Sequence, residues 1–360
     1  MKITLIAGAR PNFMKIAPII HAIQKAQDKH QLSFRLVHTG QHFDEKMSAT
    51  FFKQLNIPAP HINLNCGGGT QAEQTAAIMI AFEKELLQNP ADLVLVVGDV
   101  TSTMACSIVA KKLNTKVTHV EAGIRSFDIT MPEEINRMVT DSITDYFFTT
   151  TVWAGENLEK AGVKKERIFF VGNVMIDTLF ANRSRFKKPV FWEEFKLTKK
   201  KFLVLTLHRP ANVDEANNLK LLMDEITANV DGLPILFPMH PRTATVFKEL
   251  GIEAKNLHIV APLGYLEFNY LVERALGVIT DSGGITEETT VMGVPCITLR
   301  DNTERPETID MGTNELVGTN PKALKPVLQK LLKGDWKKGS IPNKWDGHAA
   351  ERIVAQLLKL

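Results

Sequence analysis

The feature that most limits the fold is a repeated alternation. Runs of strand length, many of them apolar throughout, are each followed by a stretch with helical periodicity. In the first half the runs are Lys2–Ala7, Ser33–His38, Asp92–Val97, Lys116–Val120, Asp145–Thr149 and Arg167–Val171. In the second they are Phe202–Leu207, Pro234–Met239, Leu257–Val260, Leu276–Thr280 and Val294–Leu299. A half-exposed strand alternates apolar and polar residues, whereas a run that is apolar throughout is covered on both faces. That is the condition of a parallel sheet between helix layers. Between the runs, Thr70–Gln88 places Ala72, Ala76, Ile80 and Leu87 on one helical face, and Ser102–Leu113 is a second helical stretch. The β-α order recurs in both halves, so the expected class is α/β with two doubly wound domains.

A chain of 360 residues exceeds one ordinary core. The expected division is 1–180 and 181–346. The last stretch, 347–360, is expected to be a helix returning to the first domain, with Ile353, Leu357 and Leu358 on one side. Asn182–Lys201 is rich in lysine, carries Pro189 and breaks the alternation, which makes it the candidate linker.

Composition enters by exclusion. A net charge of +3 is too small to argue for nucleic acid or a membrane surface. Cys66, Cys106 and Cys296 are odd in number and scattered, against a disulfide framework or structural zinc. No uncharged apolar run reaches the roughly 18 residues of a membrane span, and the N-terminus enters a strand rather than a signal sequence. A cytoplasmic location is the default expectation.

Ligands of open α/β sheets bind beyond the carboxyl ends of the strands. The residues there are polar. The first run leads into Gly8-Ala9-Arg10-Pro11, the second into Thr39-Gly40-Gln41-His42, the third into Gly98-Asp99 and the fourth into Glu121-Ala122-Gly123-Ile124-Arg125. In the second half the followers are His208-Arg209, His240-Pro241-Arg242, Asp281-Ser282-Gly283-Gly284 and Arg300-Asp301. A single histidine after a strand is more often a turn residue than a ligand, but eight such ends make a pattern: two sheets with their carboxyl ends facing one cleft.

Ser282-Gly283-Gly284 lies between a buried run and a helix beginning near Ile285. Glycine lets the backbone approach a ligand, and the free N–H groups of a helix start favour a phosphate or diphosphate. An ordinary tight turn fits the same residues. Neither a Walker loop nor a GxGxxG fingerprint is present. Glu287-Glu288 could take a ribose diol or complement the helix dipole; Arg10 and Arg305 could neutralise a diphosphate or sit in solvated surface pairs. Asp99 and Glu121 end neighbouring runs. Glu133 and Glu134 open a helix after Pro132, with Arg137 one turn on. Gathered carboxylates raise one another's pKa, which suits acid–base work near neutral pH. The plainer reading of Glu133 and Arg137 is an i,i+4 surface pair. The chain has no GxSxG and no HExxH, and no glycine fingerprint for a nicotinamide follows the first run.

The ordered set GARPNFMKIAP (Gly8–Pro18), TGQH (Thr39–His42), VVGDV (Val96–Val100), HVEAGIRS (His119–Ser126), PEEINR (Pro132–Arg137), HR (His208-Arg209), HPR (His240–Arg242), TDSGGITEE (Thr280–Glu288) and RDNTERPE (Arg300–Glu307) spans almost the whole chain. In this it resembles the non-hydrolysing UDP-N-acetylglucosamine 2-epimerases, which have two Rossmann-like domains facing a cleft, the glycosyltransferase-B fold. The resemblance implies elimination of UDP to leave 2-acetamidoglucal, then its return with C2 inverted. It implies a UDP-sugar as partner, a homodimer, and no metal or organic cofactor. By similarity Asp99, Glu121 and Glu133 are the acid–base carboxylates, Arg137 supports them and His208 assists the departure of UDP. Arg10, Phe268, Ser282, Gly283, Gly284, Glu288 and Arg305 bind UDP; Lys15 and His240 line the cleft.

Two segments depart from the family pattern. Ala211 stands where many members have an acid in HRxEN, and Cys66-Gly67-Gly68-Gly69-Thr70 differs from the usual loop. Residues near these segments help many bacterial members bind a second, activating UDP-GlcNAc, so the departures argue against that regulation here. They also fit a modified sugar such as a 2,3-diacetamido uronic acid. A hydrolysing epimerase, a transferase of the same architecture and a UDP-sugar sensor are the remaining alternatives, and the acid cluster argues against the sensor.

Overall fold

The computed structural model describes residues 1–360 except 42–51, 214–215, 240–244, 246 and 248, and describes the backbone alone at Arg10, Pro210 and Ala211. The chain divides into two units, Met1–Ala181 with Asn343–Leu360, and Asn182–Pro342. Each is built on a parallel sheet, so the class is α/β with two Rossmann-like units.

The first unit carries β1 (Lys2–Ala7), β2 (Ser33–His38), β3 (Ile62–Asn63), β4 (Leu93–Val97), β5 (Lys116–Val120), β6 (Tyr146–Thr149) and β7 (Ile168–Phe170), in the order β3-β2-β1-β4-β5-β6-β7. Central Leu5 is paired with Leu36 on one side and Leu95 on the other, and all three are buried. The strand order reverses between β1 and β4, which opens a crevice at their carboxyl ends. Helices α1 (Arg10–Gln27), α2 (Gln71–Gln88), α3 (Thr101–Lys112), α4 (Pro132–Ile143), α5 (Val152–Lys160) and α6 (Val174–Arg183) follow the strands.

Local chemistry explains several of these elements. Helix α2 begins with a reciprocal cap: Glu73 N–H donates to Thr70 Oγ1 and Thr70 N–H to Glu73 Oε2. Its buried stripe is Ile78, Phe82, Glu85 and Leu86, while Ile80 and Leu87 are 58% and 62% exposed. The expected face of Ala72, Ala76, Ile80 and Leu87 is therefore the solvent face. Two stripes have the helical period, and the one with the larger apolar area, carrying Phe82, takes the core. Helix α1 contains Pro18, whose missing N–H frees the carbonyl of Met14. The Thr178 hydroxyl donates to that carbonyl at 2.6 Å and keeps the helix whole.

The second unit carries β8 (Leu203–Thr206), β9 (Ile235–Pro238), β10 (Leu257–Val260), β11 (Gly277–Thr280), β12 (Cys296–Thr298) and β13 (Asn314–Leu316), ordered β10-β9-β8-β11-β12-β13. The reversal here lies between β8 and β11. Helices α7 (Ala216–Ala228), α8 (Tyr265–Arg274), α9 (Gly283–Met292), α10 (Pro306–Asp310) and α11 (Leu324–Leu332) surround it. Asn182–Lys201 is not a free linker. Phe191, Trp192 and Phe195 pack on the core of this unit, with Trp192 edge-on to Phe202 and Phe195 stacked on His258.

The last segment belongs to the first unit. Trp345 is fully buried and donates to the carbonyl of Thr150. The Asp177 carboxylate accepts from the N–H groups of Ala349 and Ala350 at the start of α12 (Ala349–Leu357). Ile353 and Leu357 are buried as expected, but Leu358 is 38% exposed, and Val354 holds the inner face instead.

Candidate active site

At the first switch point the exits of β4 and β5 lie side by side, because these strands pair along their full length. Gly98 leaves β4 with φ +71, and a Cβ there would meet Lys15 Nζ at 3.0 Å and Glu121 Oε2 at 3.9 Å, so both the turn and the close approach require glycine. Glu121, which leaves β5, has φ +70 without being glycine. Such a residue costs on the order of 1 kcal/mol and persists only where its surroundings fix it. Here the N–H groups of Glu121 and Ala122 both donate to the carbonyl of Phe148, and Lys15 Nζ grips Glu121 Oε2 at 2.6 Å. Lys15 and Glu121 are buried, and α1 brings the lysine to the glutamate.

Asp99 is held from α4. Arg137 donates to its carboxylate from Nε at 3.0 Å and Nη2 at 2.6 Å, and Asn136 donates to its carbonyl at 2.9 Å. The same guanidinium reaches Glu134 at 2.5 Å. Glu134 also accepts from the N–H groups of Ser126 and Phe127, so it ties the loop after β5 to the helix. Arg137 therefore pairs with Asp99 and Glu134, not with Glu133. Glu133 is half-buried in the first turn of α4, and among the described residues its carboxylate makes neither hydrogen bond nor ion pair. Arg10 opens α1 directly after β1, and its side chain lies outside the description.

The neighbouring helix start in this unit is occupied. Gln41 Oε1 accepts from the N–H of Ser102 at 3.1 Å and from its hydroxyl at 2.8 Å, which caps α3. That positive helix end is filled by protein.

The second unit treats the equivalent place differently. Ser282 stands at the N-cap of α9 and its hydroxyl makes no capping bond; its N–H donates to Thr280 Oγ1. Gly283 and Gly284 follow, half-exposed. A Cβ on Gly283 would meet Glu304 Oε1 at 2.7 Å, so the loop is packed from beneath. The Ser282 side chain does not cap the helix, and N–H groups at a helix start suit a phosphate. Beside it, the fully buried Asp281 lies 2.6 Å from His208 Nδ1 through Oδ1 and accepts through Oδ2 from the N–H groups of His208 and Arg209, both at 2.9 Å. Burial pushes the Asp281 carboxyl up, but the His208 bond, its charge and the backbone donors hold it below the ordinary value. A carboxylate on Nδ1 fixes the ring and leaves Nε2 of the 61% exposed His208 outward.

Beneath this surface α9 buries two carboxyls. Glu287 pairs with Arg305 Nε at 2.5 Å, so Arg305 is a buried ion-pair member and not a surface arginine. Glu288 accepts from the Tyr265 hydroxyl at 2.7 Å; burial pushes it up to about 7, against that bond. Phe268, on α8, is half-buried against the core of the unit. His240 lies outside the described residues.

Sequence reasoning named Asp281, Arg125 and Glu134 at strand ends and a helix start without fixing their partners, and it gave no role to Tyr265, His119 or Asp141. Glu134, Arg137 and Asp141 stand at i, i+3 and i+7, one charged stripe on α4 that the spacing does display. Among the described residues no group of His, Cys, Asp and Glu is placed to hold a metal ion, and no helix is long and apolar enough to cross a membrane.

Residues 24–358 match the family model described as UDP-N-acetylglucosamine 2-epimerase. A UDP-N-acetylglucosamine 2-epimerase of Methanocaldococcus jannaschii is 42% identical over 367 residues, 98% of each chain. A UDP-2,3-diacetamido-2,3-dideoxy-D-glucuronate 2-epimerase of Pseudomonas aeruginosa is 38% identical over the full length of both. Among solved structures, Methanocaldococcus jannaschii UDP-GlcNAc 2-epimerase in complex with UDP-GlcNAc and UDP superposes with a TM-score of 0.90 at 41% identity, covering 100% of each chain. With a family match across nearly the whole sequence and the same two parallel sheets, the chain belongs to the UDP-N-acetylglucosamine 2-epimerase family.

Proposed function

We propose that this chain interconverts UDP-N-acetylglucosamine and UDP-N-acetylmannosamine without net hydrolysis. A carboxylate takes the C2 proton while the C1–O bond to UDP breaks, giving bound 2-acetamidoglucal. UDP then re-adds at C1, and a proton arrives at C2 from the opposite face. The observation that supports this most is the pair of cation-gripped carboxylates, Glu121 with Lys15 and Asp99 with Arg137, at adjacent strand exits. Glu133 is the third acid–base group. Two faces of one carbon need more than one proton carrier, and general acid–base catalysis asks for groups held in place.

In the second unit, Ser282, Gly283 and Gly284 receive the diphosphate at the start of α9, and Arg305 adds positive charge. Arg10 is a further UDP-binding residue in this reading. Glu288 takes the ribose and Phe268 packs near the base. His208, oriented by Asp281, offers Nε2 to the departing phosphate oxygen. Lys15 and His240 complete the surroundings of the sugar. No step in this scheme calls for a metal or redox cofactor.

The test is proton NMR of the protein with UDP-GlcNAc in deuterated water. Deuterium at C2 together with UDP-ManNAc is the expected outcome. UDP accumulating in step with free N-acetylmannosamine would replace this reading by a hydrolysing epimerase.

A modified substrate is the second reading, favoured by the full-length relative that acts on a 2,3-diacetamido glucuronate. The two UDP-sugars run side by side decide it, since the preferred one has the higher kcat/KM.

A further inference from the structure

His119 is fully enclosed at the end of β5, and both its ring nitrogens are engaged. Nε2 lies 2.8 Å from the carbonyl oxygen of Gly98, and Nδ1 lies 2.7 Å from Asp141 Oδ1. A carbonyl only accepts, so Nε2 donates. The other Asp141 oxygen forms an ion pair with Arg125 Nη1 at 2.6 Å and accepts from the N–H of Gly123 at 3.1 Å. Burial pushes the Asp141 carboxyl up, but His119 and Arg125 outweigh it and hold it below the ordinary value. Asp141 thus holds the ring from its Nδ1 side.

This pair joins three elements. Asp141 is on α4, the helix that also supplies Asn136 and Arg137 to Asp99. Gly98 is the residue before Asp99; Gly123 lies two beyond Glu121. Gly98 and Glu121 both have left-handed backbones, and a strained conformation needs outside contacts to persist. We propose that His119, fixed by Asp141, is a positioning residue that sets the spacing of Asp99 and Glu121 by holding the Gly98 carbonyl. It touches no substrate. The proposal rests on the reading of Asp99 and Glu121 as acid–base groups.

Two amides separate the two ring contacts. The side-chain N–H of glutamine reaches about where Nε2 does, and that of asparagine about where Nδ1 does. H119Q keeps a donor for Gly98, while H119N keeps only one for Asp141. Expected in the full chain is a kcat for H119N lower by roughly tenfold or more with KM little changed, and H119Q restored to within about threefold of wild type. Thermal unfolding of both variants, with and without UDP, controls for folding. Equal kcat loss in the two amides, or a loss carried by KM, overturns the proposal. Should H119N not fold, D141N decides: a lower kcat at unchanged KM is expected, and a wild-type kcat overturns it. Wild-type protein that leaves C2 unexchanged with either UDP-sugar would instead overturn the assigned function, a result visible before any variant is made.

Discussion

The two units use one scaffold for opposite electrostatic ends. Both place polar residues at the carboxyl side of a strand-order reversal. In the first, four carboxylates pair with basic side chains: Glu121 with Lys15, Asp99 and Glu134 with Arg137, and Asp141 with Arg125. A nearby helix start, that of α3, is filled by Gln41. In the second, the start of α9 lacks a side-chain cap from Ser282, and two carboxyls, Glu288 and Glu307, are pushed up to about 7, mainly by burial. Which residue caps a helix decides whether a βα turn is an anion site or a closed corner. In the proposed reaction the first unit supplies the groups for proton transfer and the second receives the diphosphate.

The comparison breaks most visibly at the first unit's carboxylates. Asp99→Asn and Glu133→Gln are each expected to lose on the order of a hundredfold or more in turnover while UDP binding persists. Isothermal titration with UDP beside a turnover assay separates the two. Near-normal turnover in both variants removes these residues from the mechanism, and a matching loss of UDP affinity would erase the division of labour between the units.

Asp281→Asn tests the orientation of His208 in the second unit. The amide keeps the shape but removes the charge on His208 Nδ1, so the ring loses its fixed orientation. A fall in kcat of roughly tenfold to a hundredfold is expected, with UDP affinity little altered. A variant with full kcat would mean that His208 does not assist departure. Gly283→Ala comes next. Its methyl would meet Glu304 Oε1 at 2.7 Å, so either Glu304, which pairs with Arg300, or the start of α9 must shift. UDP affinity is expected to drop by about tenfold, on the scale of one or two lost charge-assisted hydrogen bonds. Unchanged affinity would place the diphosphate elsewhere.

These contrasts bear on what a sequence can show. The inner strands were legible because burial on both faces leaves nearly continuous apolar runs, as in Leu93–Val97. The edge strands β3 and β13 were not, since Ile62–Asn63 and Asn314–Leu316 are too short and too polar to stand out. Helix α2 was legible as a helix but not in its facing, because only the tertiary partner chooses between two apolar stripes. The same limit holds at the site. Strand ends displayed Asp99, Glu121 and Asp281 as residues in a row, but pairing is a property of space. Sequence spacing offered Arg137 to Glu133, four residues away, whereas the fold gives it to Glu134 and, across 38 positions, to Asp99. The roles of Asp141 and His119 depend on a carbonyl, that of Gly98, which carries no side-chain signature.

The smallest expected effect concerns the second unit's raised carboxyls and is read in stability. Burial pushes Glu288 and Glu307 up to about 7 in the folded chain, while in the unfolded chain both return to the ordinary carboxylate range. Between that range and about 7 the folded protein holds protons that the unfolded chain has released. Stability therefore falls as pH rises through this window, the reverse of a salt-bridged carboxylate such as Asp281. Asp177 in the first unit, raised by burial to about 6, contributes the same sign over a narrower window. Glu288→Gln keeps an acceptor for Tyr265 but cannot titrate. Between about pH 5 and pH 8 it is expected to remove on the order of 1–2 kcal/mol of the pH dependence, a few degrees of Tm. Calorimetry across that range measures it, and UDP added in excess should steepen the wild-type slope if the diphosphate prefers the protonated pair. A slope that is identical in wild type and Glu288→Gln would mean that Glu288 is ionised throughout. The second unit would then carry as much unmasked negative charge as the first, and the electrostatic contrast between the two would fail.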